Sequence, residues 1–250
     1  MSEPNSDIAA GRLSLVSVGV GDVDNITVKA LKTIEAADVV LGMKFLLKQY
    51  EELLQDKEIH DSGHGYFLGV APAHGPRPPT PQQELDIIQL VRSAVATGKN
   101  VVVLDFGDPT IYSPQAGYLS EFSDLSPDVV PGISSVNAAN AVLRRELSGA
   151  FDRPIIITHA MDHAESDDRL EALAATGATL VFFTMGMDLN NVIERLRSRL
   201  PGDTPAVIVA KAGFDRDQDM LSATLDSITE KANGASKTWA HLLYVGDALR

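Results

Sequence analysis

The stretch VVVLDFGDPTIYSP, Val101 to Pro114, constrains the fold more than any other part of this chain. Four apolar residues, Val101 to Leu104, run without a break, and such a run reads as a strand buried on both faces. Strands of that kind belong to parallel sheets covered by helices, which points to an α/β architecture. The run stops at Phe106-Gly107-Asp108-Pro109. Glycine lets backbone come close to a ligand, while proline removes a donor and fixes the turn. A carboxylate, Asp108, therefore falls just past the carboxyl end of a parallel strand, where open α/β sheets bind ligands. It suits sugar hydroxyls or a cation and is poorly suited to phosphates. A tight turn after a strand accounts for the same residues without any ligand.

Strand and helix signals alternate along the chain. Leu13 to Val18 reads as a strand ending in Gly19-Val20-Gly21-Asp22, and Thr27 caps a helix running to about Ala37. Val39 to Leu41 is a short strand and Lys44 to Gln55 a helix. The stretch from His60 to Pro79 contains GHGYFLG and PAHGPRPP, punctuated too densely for regular structure. Long irregular segments in compact proteins often cover or border a site, so Tyr66, Phe67, Arg77 and the histidines are candidates for substrate contact; a solvent loop or a dimer contact is the alternative. Thr80, Pro81 and Gln83 form a capping box that opens the next helix. Beyond a boundary near Ser126 to Pro131, Ser134 or Ser135 caps a helix over Val136 to Leu143. Strands follow at Ile155 to Thr158, Leu180 to Phe183, Ala206 to Ala210 and Leu242 to Val245, with a helix over Asp188 to Leu200. Two α/β domains are expected, residues 1–126 and 127–250.

With 250 residues, 44% of them hydrophobic, the chain has material for a sizeable core. Its formal net charge of −13 argues against a broad basic face for nucleic acid. An anionic small substrate remains compatible through local cations, with Arg77, Arg144, Arg145, Arg153, Lys211 and Arg216 as candidates. No apolar run approaches the length of a membrane span, and the polar start MSEPNSDIAAGR has no signal-peptide core, so a cytoplasmic enzyme is expected. Cysteine is absent, which excludes disulfides and thiolate chemistry.

Three glycine turns follow strands: Gly19-Val20-Gly21-Asp22, Gly107-Asp108-Pro109 and Pro131-Gly132-Ile133-Ser134-Ser135. The first lacks the third glycine of a dinucleotide fingerprint, because Asp24 stands there. There is no GK[ST], no HExxH and no GxSxG. Six histidines without a ligand pattern do not predict a metal site.

Six blocks in order carry a resemblance: SVGVGDVDNITVKALKTIEAADVVLG (Ser17 to Gly42), DFGDPTIYSP (Asp105 to Pro114), VVPGISSVNAANAVLRREL (Val129 to Leu147), GATLVFFTMG (Gly177 to Gly186), TPAVIVAKAGFDRDQ (Thr204 to Gln218) and LLYVGDALR (Leu242 to Arg250). Together they resemble the tetrapyrrole methylases, which use S-adenosylmethionine to methylate precorrins and uroporphyrinogen. The second half is similar to precorrin-4 C11-methyltransferases and uroporphyrinogen methyltransferases; ADVVLGMKFLLKQYEELL is similar to precorrin-6 methylases acting at C5 and C15.

The resemblance implies two α/β domains with the active site in the cleft between them, a homodimer, and transfer of a methyl group to a tetrapyrrole carbon in cobalamin or sirohaem synthesis. Methylation of a protein or peptide by the same fold is the alternative, since diphthine synthases share the first block. Carried over by residue, the cofactor contacts are Val20, Phe106, Gly107, Asp108, Ile111, Ser134, Ser135, Met185 (or, one position earlier, Thr184) and Ala212. Val20 stands where the family's GxGPGD loop has proline. The resemblance names no general base.

Overall fold

The computed structural model describes residues 11–69, 79–159, 168–184, 187–233 and 241–250. The chain divides into two compact units after Ser134.

The first unit holds β1 (Leu13–Ser17), α1 (Val28–Glu35), β2 (Val39–Gly42), α2 (Lys44–Gln49), β3 (Glu58–Asp61), α3 (Pro81–Ala96), β4 (Val101–Asp105), α4 (Gly117–Glu121) and β5 (Asp128–Val130). The strands form one sheet in the order β3-β2-β4-β1-β5, and every pairing is parallel. Alternate residues serve opposite faces. Leu13, Leu15, Val101 and Val103 pack with Val91 and Val95 of α3 and Tyr118 of α4. Val16, Val102 and Leu104 pack with Ala30 and Ile34 of α1 and Leu46 of α2. Both faces are covered, which is why β1 and β4 are buried along their whole length.

Local chemistry sets the helix starts. The Thr27 hydroxyl accepts from the Ala30 N–H at 3.1 Å to open α1. Thr80 accepts from the Gln83 N–H at 3.3 Å while Gln83 returns to the Thr80 N–H at 2.9 Å, the reciprocal box expected from the sequence. Strand β3 was not foreseen: it lies at the head of the stretch read as irregular and pairs with β2 from Glu58 to Asp61. Its exposed, polar pattern gives no buried run to detect.

The second unit holds α5 (Ser135–Leu143), β6 (Ile155–His159), α6 (Arg169–Ala174), β7 (Thr179–Phe183), α7 (Leu189–Arg197), β8 (Pro205–Ala210), β9 (Asp219–Thr224), α8 (Ile228–Asn233) and β10 (His241–Val245). Its sheet runs β6-β7-β10-β8-β9; β6 and β7 are parallel and the other pairings antiparallel. Helices α6, α7 and α8 cover one face and α5 the other. Glu171 of α6 takes Arg195 of α7 in a two-point ion pair, both contacts at 2.7 Å. Strand β9 also escaped the sequence reading, being an edge strand that mixes polar and apolar residues and has none of them buried.

The expected boundary between residues 126 and 127 falls before β5, whereas the units divide after Ser134. The reason is pairing: β5 joins β1 from Ser14↔Asp128 to Val16↔Val130, so it belongs to the first sheet.

Candidate active site

In the first sheet the chain leaves β1 toward β2 on one side and leaves β4 toward β5 on the other, yet β1 and β4 are neighbours. The strand order thus reverses between them, and the carboxyl ends of such a pair form the binding crevice of open α/β sheets. All three glycine turns singled out in the sequence sit there, after β1, β4 and β5.

They converge on one hydroxyl. Ser17 Oγ, fully buried, donates to the Gly107 carbonyl and accepts the Gly19 N–H at 3.0 Å. The Gly107 N–H donates to the Gly19 carbonyl at 3.0 Å. A β-carbon on Gly132 would lie 1.9 Å from Ser17 Oγ, so only glycine lets the turn after β5 close over that hydroxyl. Gly19 and Gly107 have φ of 78° and 75°, the left-handed region that glycine enters at no steric cost.

Further donors fix the first loop. The Tyr50 hydroxyl donates to the Val18 carbonyl at 3.1 Å, Asn25 Nδ2 to the Val20 carbonyl at 2.8 Å, and Gln49 Nε2 to the Gly21 carbonyl at 2.8 Å. Val20 itself is buried. Burial raises the Tyr50 phenol to about 12, so it stays a donor at neutral pH.

The loop after β4 presents the other candidates. Phe106 meets Phe45 edge-on, with ring centroids 5.7 Å apart. Asp108 Oδ1 accepts from the Thr110 N–H at 2.8 Å and the Thr110 hydroxyl at 2.7 Å. The carboxylate thus shapes its own turn, and both bonds fall on Oδ1. Ile111 is 37% exposed, an apolar side chain left at the sheet's carboxyl end. Ser134 is buried immediately before α5, which Ser135 opens. Ala212 follows β8 after Lys211, whose φ is 49°. Thr184 donates to the His241 carbonyl at 2.6 Å. Met185 lies outside the described residues.

Four polar residues missed in the sequence lie behind this loop: Asp105, Ser113, Gln115 and Ser62, all buried. The Ser113 hydroxyl donates to Asp105 Oδ2, and the Phe106 N–H donates to Oδ1 at 2.8 Å. Burial drives the Asp105 carboxyl up to about 7, against the lowering pull of those two donors. The only advance signal was a carboxylate closing an otherwise apolar strand.

Tyr66 and Phe67, candidates for stacking on substrate, are instead committed to the core. Tyr66 is buried, and Phe67 meets Tyr118 and Phe122 edge-on at 5.0 and 5.8 Å. His60 pairs with Glu58 at 3.0 Å. His64 keeps a buried Nδ1 with no hydrogen-bond partner among the described residues, and burial lowers its affinity for a proton. His74 and Arg77 lie outside the described residues. Of the other candidate cations, Arg153 pairs with Asp247 at 3.2 Å and Lys211 with Asp217 at 3.7 Å, while Arg145 donates to the Arg250 carbonyl.

The donor set fits a cationic, hydroxyl-bearing ligand better than a phosphate. Residues 17–22, 105–113 and 131–134 contain no lysine or arginine. They offer a carboxylate, an exposed apolar side chain and strand-end backbone. Among the described residues no cluster of His, Asp or Glu is placed to hold a metal ion.

Residues 12–229 match the pattern of the tetrapyrrole (corrin/porphyrin) methylases. The chain belongs to this family. It is 29% identical over 248 residues to a cobalt-precorrin-4 C(11)-methyltransferase of Methanocaldococcus jannaschii, covering 95% of this chain and 88% of that protein. It is 31% identical over 250 residues to a uroporphyrinogen-III C-methyltransferase of Bacillus subtilis, covering 96% and 91%. Among solved structures, the cobalamin biosynthetic enzyme cobalt precorrin-4 methyltransferase superposes with a TM-score of 0.73 at 26% identity, covering 96% of each chain. As in other tetrapyrrole methylases, the business of the chain is methyl transfer. Among the described residues no helix is long and apolar enough to cross a membrane.

Proposed function

We propose that this methylase transfers the methyl group of S-adenosylmethionine to a carbon of a precorrin- or uroporphyrinogen-type tetrapyrrole, on the way to cobalamin or sirohaem. The observation that carries this reading is the family match across residues 12–229, together with the meeting of the β1 and β4 turns at the sheet's reversal point. Bound there, the cofactor supplies a methyl group on a sulfonium, open to in-line approach by a nucleophilic carbon.

The chain's own residues bind and orient. Asp108, with Oδ1 engaged in its turn, has Oδ2 to accept from a cofactor hydroxyl or amine. Ile111 offers apolar surface to the adenine, and the Phe106-Gly107 backbone offers polar groups at close range. Val20 and Ser134 complete the first unit's part of the assignment. Ser135, Met185 and Ala212, in the second unit, are assigned on the family resemblance. No side-chain nucleophile is required, because holding two reactants in line supplies the rate enhancement. The cytoplasmic setting and the homodimer implied by the resemblance belong to the same reading.

Incubating the protein with S-adenosylmethionine and a panel of precorrins and uroporphyrinogen, with product masses read by mass spectrometry, tests it. The reading expects one tetrapyrrole to gain a methyl group. Methylation of a peptide, with all tetrapyrroles untouched, would move the acceptor outside the tetrapyrroles.

A further inference from the structure

The loop from Phe106 to Tyr112 is closed across its base by two buried side chains. Asp105 is the last residue of β4 and is 0% exposed; Ser113, just past the loop, is nearly as buried. The Ser113 hydroxyl donates to Asp105 Oδ2, and Asp105 Oδ1 holds the Phe106 N–H at 2.8 Å. Ser113 Oγ in turn accepts the Gln115 N–H at 2.9 Å. Gln115 Nε2 reaches Ser62 Oγ and the Gly63 carbonyl, both at 3.0 Å. One buried polar line therefore runs from the end of β4 to the segment that follows β3.

Such a line is costly to bury. A carboxyl and three polar side chains out of water stabilise a fold less than apolar residues of similar size would, and what they specify is geometry. The geometry at stake lies in the loop. Tyr112, directly before Ser113, has φ of 53°. A non-glycine residue in that region costs about 1–2 kcal/mol and persists where its surroundings hold it. The Ser113 contacts begin at the next residue.

We propose that Asp105 and Ser113 are positioning residues for the methyl donor: their bond locks the loop 106–112 so that Phe106, Gly107, Asp108 and Ile111 meet the donor in one fixed arrangement. This rests on reading that loop as the donor's seat. Neither side chain touches the donor; both act through the loop. Gln115 extends the lock to Ser62 and Gly63.

The test is calorimetric titration of S-adenosylhomocysteine, with steady-state kinetics in parallel, on the full chain and on Ser113→Ala, Asp105→Asn and the double variant. Each single variant is expected to raise the Kd about tenfold, and the KM for S-adenosylmethionine with it, while kcat at saturating donor stays within about threefold. The double variant should bind no more weakly than the weaker single, because both changes break one bond. Near-UV circular dichroism identifies the folded variants. Where one of them does not fold the other decides, and failure of both would make the pair structural and end the proposal. Folded variants that bind like the unaltered chain would also overturn it. An unaltered chain that binds no S-adenosylhomocysteine would instead defeat the donor reading itself.

Discussion

The N–H of Gly107 donates to the carbonyl of Gly19 at 3.0 Å, tying the turn after β4 to the turn after β1. These turns are far apart in sequence and adjacent only because β4 inserts between β2 and β1. The bond joins the two loops that matter most to the proposed function, at the point where the strand order reverses. It also frames what each nearby substitution should do.

Asp108→Ala should weaken S-adenosylhomocysteine binding by about 1–3 kcal/mol, the range for a charge-assisted hydrogen bond. Thr110→Ala supplies the control, since it removes one of the turn contacts on Oδ1 and leaves the carboxylate in place. Calorimetry on both separates the roles. Equal, small losses would reduce Asp108 to the shaper of its own turn.

Gly132→Ala should be costly. Its new β-carbon would meet Ser17 Oγ at 1.9 Å and Ser17 Cβ at 2.6 Å, both in a fully buried residue with nowhere to retreat. Overpacking of that kind costs about 1–3 kcal/mol, so urea unfolding should show a lowered midpoint. An unchanged midpoint would mean that the β5 turn yields freely and that the convergence on Ser17 is not rigid.

Much of this arrangement was legible beforehand, and the exceptions have a common cause. The buried run Val101 to Leu104 announced a central parallel strand, and Thr80-Pro81-Gln83 announced the start of α3. Those signals are local: apolar periodicity and capping chemistry within a few residues. Strands β3 and β9 are edge strands with no buried residue, and pairing rather than pattern defines them. Ser17 and Gln115 were missed because their partners lie elsewhere in the chain, and Asp105 and Ser113 because they meet only once the loop between them has folded. A serine after an apolar strand looks like any turn residue until Gly107 and Gly132 are brought against it. Tyr66 and Phe67 show the reverse error, since aromatic residues amid glycines looked available for a ligand while the fold used them to anchor their segment.

Phe67→Ala should therefore act on stability. The partly buried ring packs against Tyr118 and Phe122, so its loss should cost less than the roughly 3–5 kcal/mol of a fully buried phenylalanine, about 1–3 kcal/mol. Denaturant unfolding measures that loss. A variant as stable as the unaltered chain but unable to use its acceptor would return Phe67 to the substrate.

Asp105 should leave a mark on the pH dependence of stability. Burial raises its carboxyl from 3.8 to about 7 in the folded chain. Between those values the folded state holds a proton that the unfolded state has released, so this group's contribution falls as pH rises through the window and levels off above about pH 7. Asp105→Asn removes the ionisation. Its unfolding free energy, compared with that of the unaltered chain at pH 5 and pH 8, should show a gap that shifts in the variant's favour at the higher pH. A gap independent of pH would place the Asp105 carboxyl near its ordinary range.

The central claim is methyl transfer from S-adenosylmethionine to a tetrapyrrole carbon, and one measurement meets it directly. The protein is given methyl-labelled S-adenosylmethionine and the panel of precorrins and uroporphyrinogen, and the label is followed by mass spectrometry and carbon NMR. The account predicts that one tetrapyrrole acquires the label on carbon while S-adenosylhomocysteine is released in equal amount. No labelled tetrapyrrole, together with no calorimetric binding of either cofactor form at millimolar concentration, would contradict it.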